Sequence, residues 1–326
     1  MKGLRLSILL LGIFLIPSLS HAQAEEQPPL EIQQSTFVYK RVDRANIEAT
    51  LFQLKETTSP TPVIIWIHPG ALLFGSKDNL PEEQMKFYLS KGFSVVSIDH
   101  RLAPASSVEE ILTDVIDAAT WIRTEGEDLL KVDPERMYMV GHSAGAYLAL
   151  LAANTMEEPP QAVISFYGYG DILDDWAHTP DKHYSQMEAV NAEEVASSLD
   201  TSTRTSASVE ERFSYYIYTR QKGIWASTVS QLNREKHVEE LTSLSPSLDM
   251  RKDFPPTLLI HGDKDTDVPF SESQKLVQTL SQNKTPHKLI EMKGYGHVFD
   301  IFEGGLGNVE IAEVFDQIDT FLNKYP

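Results

Sequence analysis

A five-residue motif near the middle of the chain, Gly-His-Ser-Ala-Gly at 141–145, constrains the fold more than any other feature. The apolar run 137–140 before it predicts a strand, and the alanine- and leucine-rich stretch 144–154 after it predicts a helix. Ser143 would then lie on a tight strand-to-helix turn, where the flanking glycines avoid a steric clash. We expect its hydroxyl to stand above the helix N-terminus, where backbone N–H groups favour developing negative charge.

Two further segments supply partners for this serine, in the chain order serine, acid, histidine. The apolar run 255–260 predicts a buried strand that ends in an acidic turn, and a strand at 288–292 precedes a Gly-Tyr-Gly-His loop. Each candidate follows the carboxyl end of a strand, which is the edge where open parallel sheets place their sites. We expect His297 to take the proton of Ser143, while an ionised Asp265 holds the imidazole in the required tautomer.

Three aspartates alternate through the acidic turn, and the spacing His-Gly-x-x-Asp-x-x-Val-Pro selects Asp265 as the acid. Asp263 and Asp267 have the plainer interpretation of turn-forming residues, whose side chains bond nearby backbone N–H groups. A calcium loop does not fit, because Val268 occupies the required glycine position and Gln274 that of the bidentate glutamate. The other histidines are scattered singly, so we predict no metal site.

A small-residue loop, His-Pro-Gly-Ala at 68–71, follows another apolar strand-like run. A tetrahedral intermediate needs backbone N–H donors about 3 Å from its oxygen, and small residues let the backbone approach that closely. Pro69 has no N–H, so we assign the oxyanion hole to Gly70 and Ala71, with Ala144 after the nucleophile as the third donor. An ordinary strand-to-loop turn is the alternative.

Two more segments complete the pattern: Gly-Ser-Lys-Asp at 75–78 and Asp-His-Arg-Leu-Ala-Pro at 99–104. With the motifs above, they make the chain resemble α/β-hydrolases of the carboxylesterase and lipase kind, close to hormone-sensitive-lipase-like and acetyl-esterase-like enzymes. The resemblance covers roughly residues 60–170 and 254–300. It implies an α/β fold with a doubly wound, mostly parallel α/β-hydrolase sheet, a Ser143-His297-Asp265 triad, and ester hydrolysis without a cofactor.

Two positions in the small-residue loop depart from that family pattern. Pro69 replaces the first loop glycine, and Leu72 stands where an aromatic residue is common. The first departure leaves both N–H donors in place, whereas the second bears on the shape of the acyl pocket. We include Leu72 among the expected substrate contacts, together with His142, Tyr169 and Trp225.

The stretch from about 171 to 248 interrupts the alternation of strands and helices, and it predicts an inserted cap over the carboxyl edge of the sheet. A polar opening gives way to an aromatic concentration formed by Phe213, Tyr215, Tyr216, Tyr218 and Trp225. A wall of the substrate pocket is one interpretation of these rings. Packing of the cap onto the hydrolase body is the other, and the sequence leaves both open for each ring.

The N-terminus predicts export. A basic start precedes an apolar run at 6–19, and Ala-Gln-Ala at 22–24 provides a cleavage site, so we expect 1–24 to be a signal peptide and 25–326 the catalytic domain. An uncleaved membrane anchor is the alternative. The chain has no cysteine, which excludes a disulfide framework and a lipid-modified N-terminal cysteine. We expect a secreted or periplasmic protein.

The chain is strongly acidic, with a formal net charge of −19 at pH 7. Removal of residues 1–24 takes away Lys2 and Arg5 and no acidic residue, which leaves −21. Such a chain repels nucleic acid and anionic membrane surfaces, so neither is an expected partner. Neutral small-molecule or carbohydrate esters fit this charge better than anionic polymers do.

These features predict an exported serine esterase that acts on acetyl or other short acyl esters. A serine exopeptidase of the prolyl-oligopeptidase-like type is an alternative, because it shares the acidic turn and the histidine loop, although no propeller-sized N-terminal region is present. A non-catalytic binding protein on the same fold is another alternative. Such proteins usually lose a triad member, and the sequence keeps all three.

Overall fold

The computed structural model describes residues 30–198 and 202–326, in which strands and helices alternate along most of the chain. The strands are β1 (Ile32–Val42), β2 (Ala45–Leu54), β3 (Thr61–Ile67), β4 (Ser94–Ile98), β5 (Val132–His142), β6 (Ala162–Phe166), β7 (Thr257–Gly262) and β8 (His287–Met292). The α-helices are α1 (Glu82–Ser90), α2 (Val108–Glu125), α3 (Ala144–Thr155), α4 (Asp175–His178), α5 (Ala192–Ser198), α6 (Val209–Lys222), α7 (Trp225–Ser230), α8 (Val238–Ser243), α9 (Ser271–Gln282), α10 (Phe299–Phe302) and α11 (Val309–Lys324). Short 3₁₀ or π turns lie at Lys77–Asn79, Gly126–Leu130, Tyr184–Gln186 and Gly305–Gly307.

The described strands form one sheet in the order β1-β2-β4-β3-β5-β6-β7-β8. β1 and β2 make an antiparallel hairpin, β2 is antiparallel to β4, and the pairings from β4 onward are parallel. Parallel neighbours need crossover connections, and helices in these crossovers cover both faces of the sheet. The predicted doubly wound, mostly parallel α/β sheet is confirmed.

Alternate side chains of the central strands enter two different cores, because successive residues of a strand point to opposite faces. On β3, Val63, Ile65 and Ile67 pack with α2 and α3, whereas Ile64 and Trp66 pack with α1 and α11. All five side chains are fully buried. The same alternation on β5 decides which residues near the serine face the site.

The cap, residues 171–248, lies between the neighbouring strands β6 and β7 and carries α4 to α8. A capping box fixes the start of α6: the Ser208 N–H donates to the Glu211 carboxylate, and the Glu211 N–H donates to the Ser208 hydroxyl. At the base of the cap, the N–H and the hydroxyl of Ser247 both donate to the Gly170 carbonyl, at 3.0 and 2.9 Å. We call this contact the neck, because it joins the two ends of the insertion.

Four connections meet at the carboxyl edge of the sheet. They are the loop 68–76 after β3, the serine turn at 143 after β5, the acidic turn 263–269 after β7, and the loop 293–298 after β8. Parallel strands end at the same edge, so these four segments converge although they are far apart in sequence. The sheet thereby brings the small-residue loop together with the turns and loops that carry Ser143, Asp265 and His297.

Among the described residues, no helix combines the length and the apolar character that crossing a membrane requires. The signal peptide expected at 1–24 lies outside the described residues. Its cleavage therefore stays a prediction.

Candidate active site

Ser143 occupies the sharp turn between β5 and α3. Its φ of 53° is left-handed, a conformation that costs a non-glycine residue roughly 1–3 kcal/mol, and its N–H donates to the Phe166 carbonyl at 2.9 Å. A Cβ on Gly141 would lie 2.2 Å from the Gly145 carbonyl oxygen, and a Cβ on Gly145 would lie 2.2 Å from the Ile67 carbonyl oxygen. Both glycines are therefore needed for the turn that presents the serine hydroxyl.

The serine, the histidine and the acid lie in one hydrogen-bonded line. His297 Nε2 is 2.9 Å from Ser143 Oγ, and His297 Nδ1 is 2.6 Å from Asp265 Oδ2. The other carboxylate oxygen of Asp265 accepts the backbone N–H groups of Asp267 and Val268 at 2.8 and 2.9 Å, which fixes the side chain on the acidic turn. The structure thus brings together the three residues that the motif order selected.

The charges of this line are set by burial and by near neighbours. Burial alone would raise the pKa of Asp265, but the charge of His297 and hydrogen bonds from His261 and His297 hold that pKa well below its usual range. Burial also opposes the charged form of His297, yet the carboxylates of Asp265 and Asp267 raise its pKa above the usual value. The site therefore keeps Asp265 ionised and stabilises the imidazolium that forms when His297 accepts a proton.

The loop after β3 turns back on itself at Gly70, whose φ is 130° and where a Cβ would lie 2.0 Å from the Phe74 carbonyl oxygen. The Gly70 carbonyl accepts the N–H groups of Leu73 and Phe74 at 2.8 and 3.0 Å. Because C=O and N–H of a trans peptide point in opposite directions, this turn fixes the direction of the Ala71 N–H. Within the described part of the chain, the backbone N–H groups of Gly70, Ala71 and Ala144 have no hydrogen-bond acceptor, so all three are available to an oxyanion.

The four residues expected to contact substrate lie away from the cavity above the serine. Leu72, Tyr169 and Trp225 are at most 2% exposed and pack in the apolar core that joins cap and body. His142 is fully buried on β5. None of the four lines the cavity, so the structure assigns them to packing rather than to substrate contact.

His142 follows Tyr138 and Val140 at two-residue intervals on β5, and those two residues belong to the core under α1 and α11. Its ring stacks on Phe166 at 4.4 Å, and its Nε2 lies 3.0 Å from a carboxylate oxygen of the buried Asp300. Sequence proximity to Ser143 is misleading here, since adjacent residues of a strand point to opposite faces.

Trp225 contributes to the site from the cap by holding the oxyanion loop. Its Nε1 donates to the Ala71 carbonyl at 3.1 Å, and its ring packs against Trp176 and Tyr169 with centroid distances of 5.4 Å in both cases. The cap thereby restrains the peptide between Ala71 and Leu72, which adjoins the peptide that carries the Ala71 N–H. Trp225 is a positioning residue in this arrangement.

Tyr167 supports His297 from below, and motif analysis missed it. The Tyr167 ring meets the His297 ring edge to face with centroids 4.7 Å apart. The Tyr167 hydroxyl donates to Asp300 at 2.6 Å, and Gln84 Nε2 donates to the same carboxylate at 2.7 Å. This buried network lies in no recognisable motif, because its members come from three distant parts of the chain.

A cavity of about 570 Å³ opens above Ser143 and His297. This volume lies within the range of about 300–1,000 Å³ that is usual for small-molecule sites. Body and cap both contribute to its lining. The lining residues are Pro69, Gly70, Ala71, Phe74, Gly75, Asn79, Ser143, His183, Tyr184, Val209, Phe213, Tyr216, Thr266, Asp267, His297, Val298, Ile301 and Phe302.

The segment 298–302 forms a wall of the cavity that the sequence analysis did not identify. Val298 has a φ of 59°, which is uncommon for a β-branched residue, and Phe302 is 79% exposed at the cavity rim. The sequence feature that could have indicated this wall is its position, because the segment directly follows His297 in the chain.

Asp263 and Asp267 have different environments. Asp263 Oδ1 accepts the Gly294 N–H at 2.6 Å, which ties the acidic turn to the histidine loop. The Asp267 side chain instead turns to the cap, where it is bound by Tyr216 and Arg220 of α6. The interpretation as a simple turn-forming residue is therefore wrong for Asp267. Within the described ranges, no group of three or more His, Asp or Glu side chains could hold a metal ion.

Comparison with protein families gives a match to the BD-FAE model over residues 50–280. The matched range contains Ser143, Asp265 and the whole of the cap. His297 lies beyond its end.

Among curated proteins, the chain is similar to the non-reducing polyketide synthase Preu6 of Preussia isomera, with 26% identity over 318 residues. The alignment covers 87% of this chain and 14% of the synthase. The chain thus spans about a seventh of the length of the curated relatives it matches.

Among solved structures, a protein of unknown function from Staphylococcus aureus subsp. aureus Mu50 has a TM-score of 0.71 and 22% identity, with 90% of this chain and 99% of that chain covered. A bacterial heroin esterase has a TM-score of 0.67 and 18% identity, with 90% of this chain and 84% of that chain covered. At these identities, the likeness establishes a shared fold.

Proposed function

Since this chain belongs to the BD-FAE family, we propose that it is an esterase on the α/β-hydrolase fold, which cleaves carboxylic esters through a Ser143-His297-Asp265 triad and an acyl-enzyme intermediate. The observation that carries the proposal is the hydrogen-bonded line from Ser143 Oγ through His297 to Asp265. It joins a nucleophile to a base and the base to an orienting acid, which is the arrangement that acyl transfer requires.

In the first half of the proposed reaction, His297 Nε2 takes the hydroxyl proton as Ser143 Oγ attacks the ester carbonyl carbon. Negative charge develops on the carbonyl oxygen, and the backbone N–H groups of Gly70, Ala71 and Ala144 stabilise it. Removal of a single donor of this kind typically costs about 10²–10³ in turnover. His297 then returns its proton to the departing alcohol, which leaves the acyl group on the serine.

In the second half, water replaces the alcohol. His297 takes a proton from the water as its oxygen attacks the acyl carbon, and then gives that proton back to Ser143 Oγ as the acid is released. Asp265 stays ionised throughout and stabilises the imidazolium in both halves. No metal or cofactor takes part in these steps.

The proposed substrate is a small-molecule or carbohydrate ester with an acetyl or other short acyl group. A volume of about 570 Å³ suits a substrate of this size. Apolar side chains make up much of the wall, including Phe74, Phe213 and Ile301, and none of the described lining residues is a lysine or arginine. A neutral ester therefore fits this cavity better than an anionic one.

We also propose that the protein is exported after cleavage near Ala24. The support is the basic start, the apolar run at 6–19 and the small-residue site at 22–24. Mass determination of the N-terminus after expression with fractionation of the host cells tests this directly. An uncleaved chain recovered from the membrane fraction would contradict it.

The decisive experiment uses a panel of p-nitrophenyl esters of increasing acyl chain length beside aminoacyl anilides. We expect turnover of the esters that is fastest for short acyl groups, and no turnover of the anilides. Anilide cleavage would favour a serine exopeptidase. Folded protein without any turnover would favour a non-catalytic binding protein, and Ser143→Ala serves as the control for serine-dependent activity.

A further inference from the structure

A second carboxylate, that of Asp267, lies beside His297 on the side where the proton leaves. Asp267 Oδ2 is 3.6 Å from His297 Nε2, the same nitrogen that lies 2.9 Å from Ser143 Oγ. Asp265, in contrast, contacts Nδ1 on the other side of the ring. In the proposed reaction Nε2 passes its proton to the departing alcohol, so the Asp267 carboxylate lies next to the alcohol part of the substrate.

The cap fixes the orientation of this carboxylate. The Tyr216 hydroxyl donates to Asp267 Oδ1, and Arg220 Nη1 lies 3.3 Å from the same oxygen. Arg220 Nη2 donates to the Asp267 backbone carbonyl at 3.0 Å and to Asp181 at 2.8 Å. With Oδ1 held by the cap, Oδ2 is turned toward His297 and the cavity.

The charge around the cavity is negative. Among its described lining residues, Asp267 alone carries a formal charge when histidine is neutral. Behind it, the carboxylates of Asp265 and Asp181 outnumber the single guanidinium of Arg220. The chain as a whole carries −19. A cationic group in the cavity is therefore attracted both by the nearest carboxylate and by the wider field.

We propose that Asp267 is a specificity-determining residue that favours esters with a cationic alcohol part over isosteric esters with a neutral one. The inference rests on the proposed function, because it assigns a leaving-group preference to that reaction. The attraction between unit charges a few ångströms apart at the edge of water corresponds to about a tenfold change in rate.

The same carboxylate influences the pH profile. Burial opposes the imidazolium of His297, Asp265 and Asp267 raise its pKa, Arg220 lowers it, and the Tyr167 ring packs against it. Neutral His297 is the base in the proposed reaction, so activity falls as the pH drops through that pKa. Asparagine at 267 removes one charge that stabilises the imidazolium, so the acid limb of kcat/KM should move to lower pH.

The test compares the choline ester and the 3,3-dimethylbutyl ester of the acyl group that the wild-type protein cleaves fastest. These esters share one shape and differ by one positive charge. We expect the wild-type kcat/KM to be about tenfold higher for the choline ester, and this ratio to fall to near one in Asp267→Asn. Asp267→Glu, which keeps the charge, should keep most of the preference.

Asp263→Asn is the matched control. It removes one negative charge from the same turn, but Asp263 does not line the cavity, so the ratio and the acid limb should both stay at wild-type values. Equal effects of Asp263→Asn and Asp267→Asn would assign the preference to overall charge and overturn the inference.

Two further outcomes would overturn it. The inference is overturned if the wild-type protein has a kcat/KM for the choline ester that is equal to or below that for the 3,3-dimethylbutyl ester. This measurement needs no variant, so it stands even if Asp267→Asn fails to fold. An Asp267→Asn protein that keeps both the ratio and the acid limb overturns the inference as well. Wild-type turnover of both esters at equal rates would leave the proposed function intact, whereas turnover of neither would contradict that function too.

Discussion

The hydrolase body and the cap hold their side chains in place by different means. In the body, Ser143, Asp265 and His297 each follow a strand of one hydrogen-bonded sheet, so their spacing is set by the backbone ladder. The described residues of the cap add no strand to that sheet. They are joined to the body by a few isolated backbone hydrogen bonds, such as the pair between Gly75 and Ala207, and by individual side chains. The geometry of the reaction is therefore built into the body, while pocket shape depends on separate contacts that single substitutions can alter.

Arg212 of α6 is the clearest of these contacts. Its buried Nη1 donates to the Leu73 carbonyl at 2.9 Å and to the Ala103 carbonyl at 2.8 Å, both in the body. A buried carbonyl that loses its donor costs free energy, so this arginine couples the cap to the loop that carries the candidate oxyanion donors. Substitutions of the triad in the body should consequently lower turnover, whereas substitutions in the cap should change stability or acyl-chain preference.

The largest expected effect comes from Ser143→Ala in the body. Because the nucleophile acts together with its base, its removal should lower ester turnover by about 10⁶-fold. The turn itself is kept by Gly141 and Gly145, so the melting temperature should stay close to that of the wild type. Near-normal turnover in a folded Ser143→Ala protein would contradict the central assignment.

Asp265→Asn should lower turnover by about 10⁴-fold, because the amide group favours the wrong tautomer of His297. Asp263→Asn keeps an oxygen for the Gly294 N–H and should stay within about tenfold of the wild type. Steady-state kinetics on one short-chain ester measures both. Equal losses in the two variants would mean that the acidic turn, rather than one aspartate, is what the reaction needs.

At the joint between the two regions, Arg212→Met should lower the free energy of unfolding by about 2–5 kcal/mol, because two buried carbonyl oxygens lose a charged donor. Arg234→Met is the control, since Arg234 is 38% exposed and its ion pair with Asp175 should contribute only about 0–1 kcal/mol. Urea unfolding of both proteins makes the measurement. The same loss in both would show that the cap does not depend on this buried arginine.

The smallest expected effect separates rings within the cap. Phe213 lines the cavity, whereas Tyr218 of the same helix does not and packs partly buried against the core. Phe213→Ala should change the acetyl-to-octanoyl preference by about 1–3 kcal/mol, and Tyr218→Ala should leave that ratio unchanged. A ratio that moved equally in both, or in neither, would place chain-length selection outside α6.

The positions of the segments that carry Ser143, Asp265 and His297 could be predicted, because tight backbone turns require particular residue types. The turn at Ser143 admits only glycine at 141 and 145, and the apolar runs 137–140 and 255–260 lead into the serine turn and the acidic turn. Chain order then related the serine to Asp265 and His297, which the structure places within hydrogen-bonding distance of one another.

The face that His142 occupies could not be predicted in the same way. β5 is buried on both faces, so Met137 and Met139 on one side are as apolar as Tyr138 and Val140 on the other. A strand with one wet face shows its orientation by alternating polar and apolar residues, but a doubly covered strand does not. The face to which His142 points is set only by the packing of β5 against the two layers of helices.

The contacts of the cap could not be predicted either, because they join residues that are distant in sequence. Tyr216 and Arg220 stand 51 and 47 residues away from Asp267, which they hold. The high aromatic content of the cap pointed to a region of interest. It does not distinguish rings that line the pocket, such as Phe213, from rings that pack in the core, such as Trp225. Their difference arises from which side of α6 and α7 meets the body, a property of tertiary packing.

The neck between Gly170 and Ser247 has a consequence for how this protein could be altered. The insertion leaves the body at Gly170 and returns to it at Ser247. Because these two residues are hydrogen-bonded to each other, the body holds the two attachment points of the cap side by side. The entropy of closing such a segment grows only slowly with its length, so exchanging it for a shorter or longer one places little strain on β6 or β7. A replacement grafted at this junction should give new selectivity and keep bond cleavage, provided that it also keeps the contacts that Trp225 and Arg212 make with the oxyanion loop.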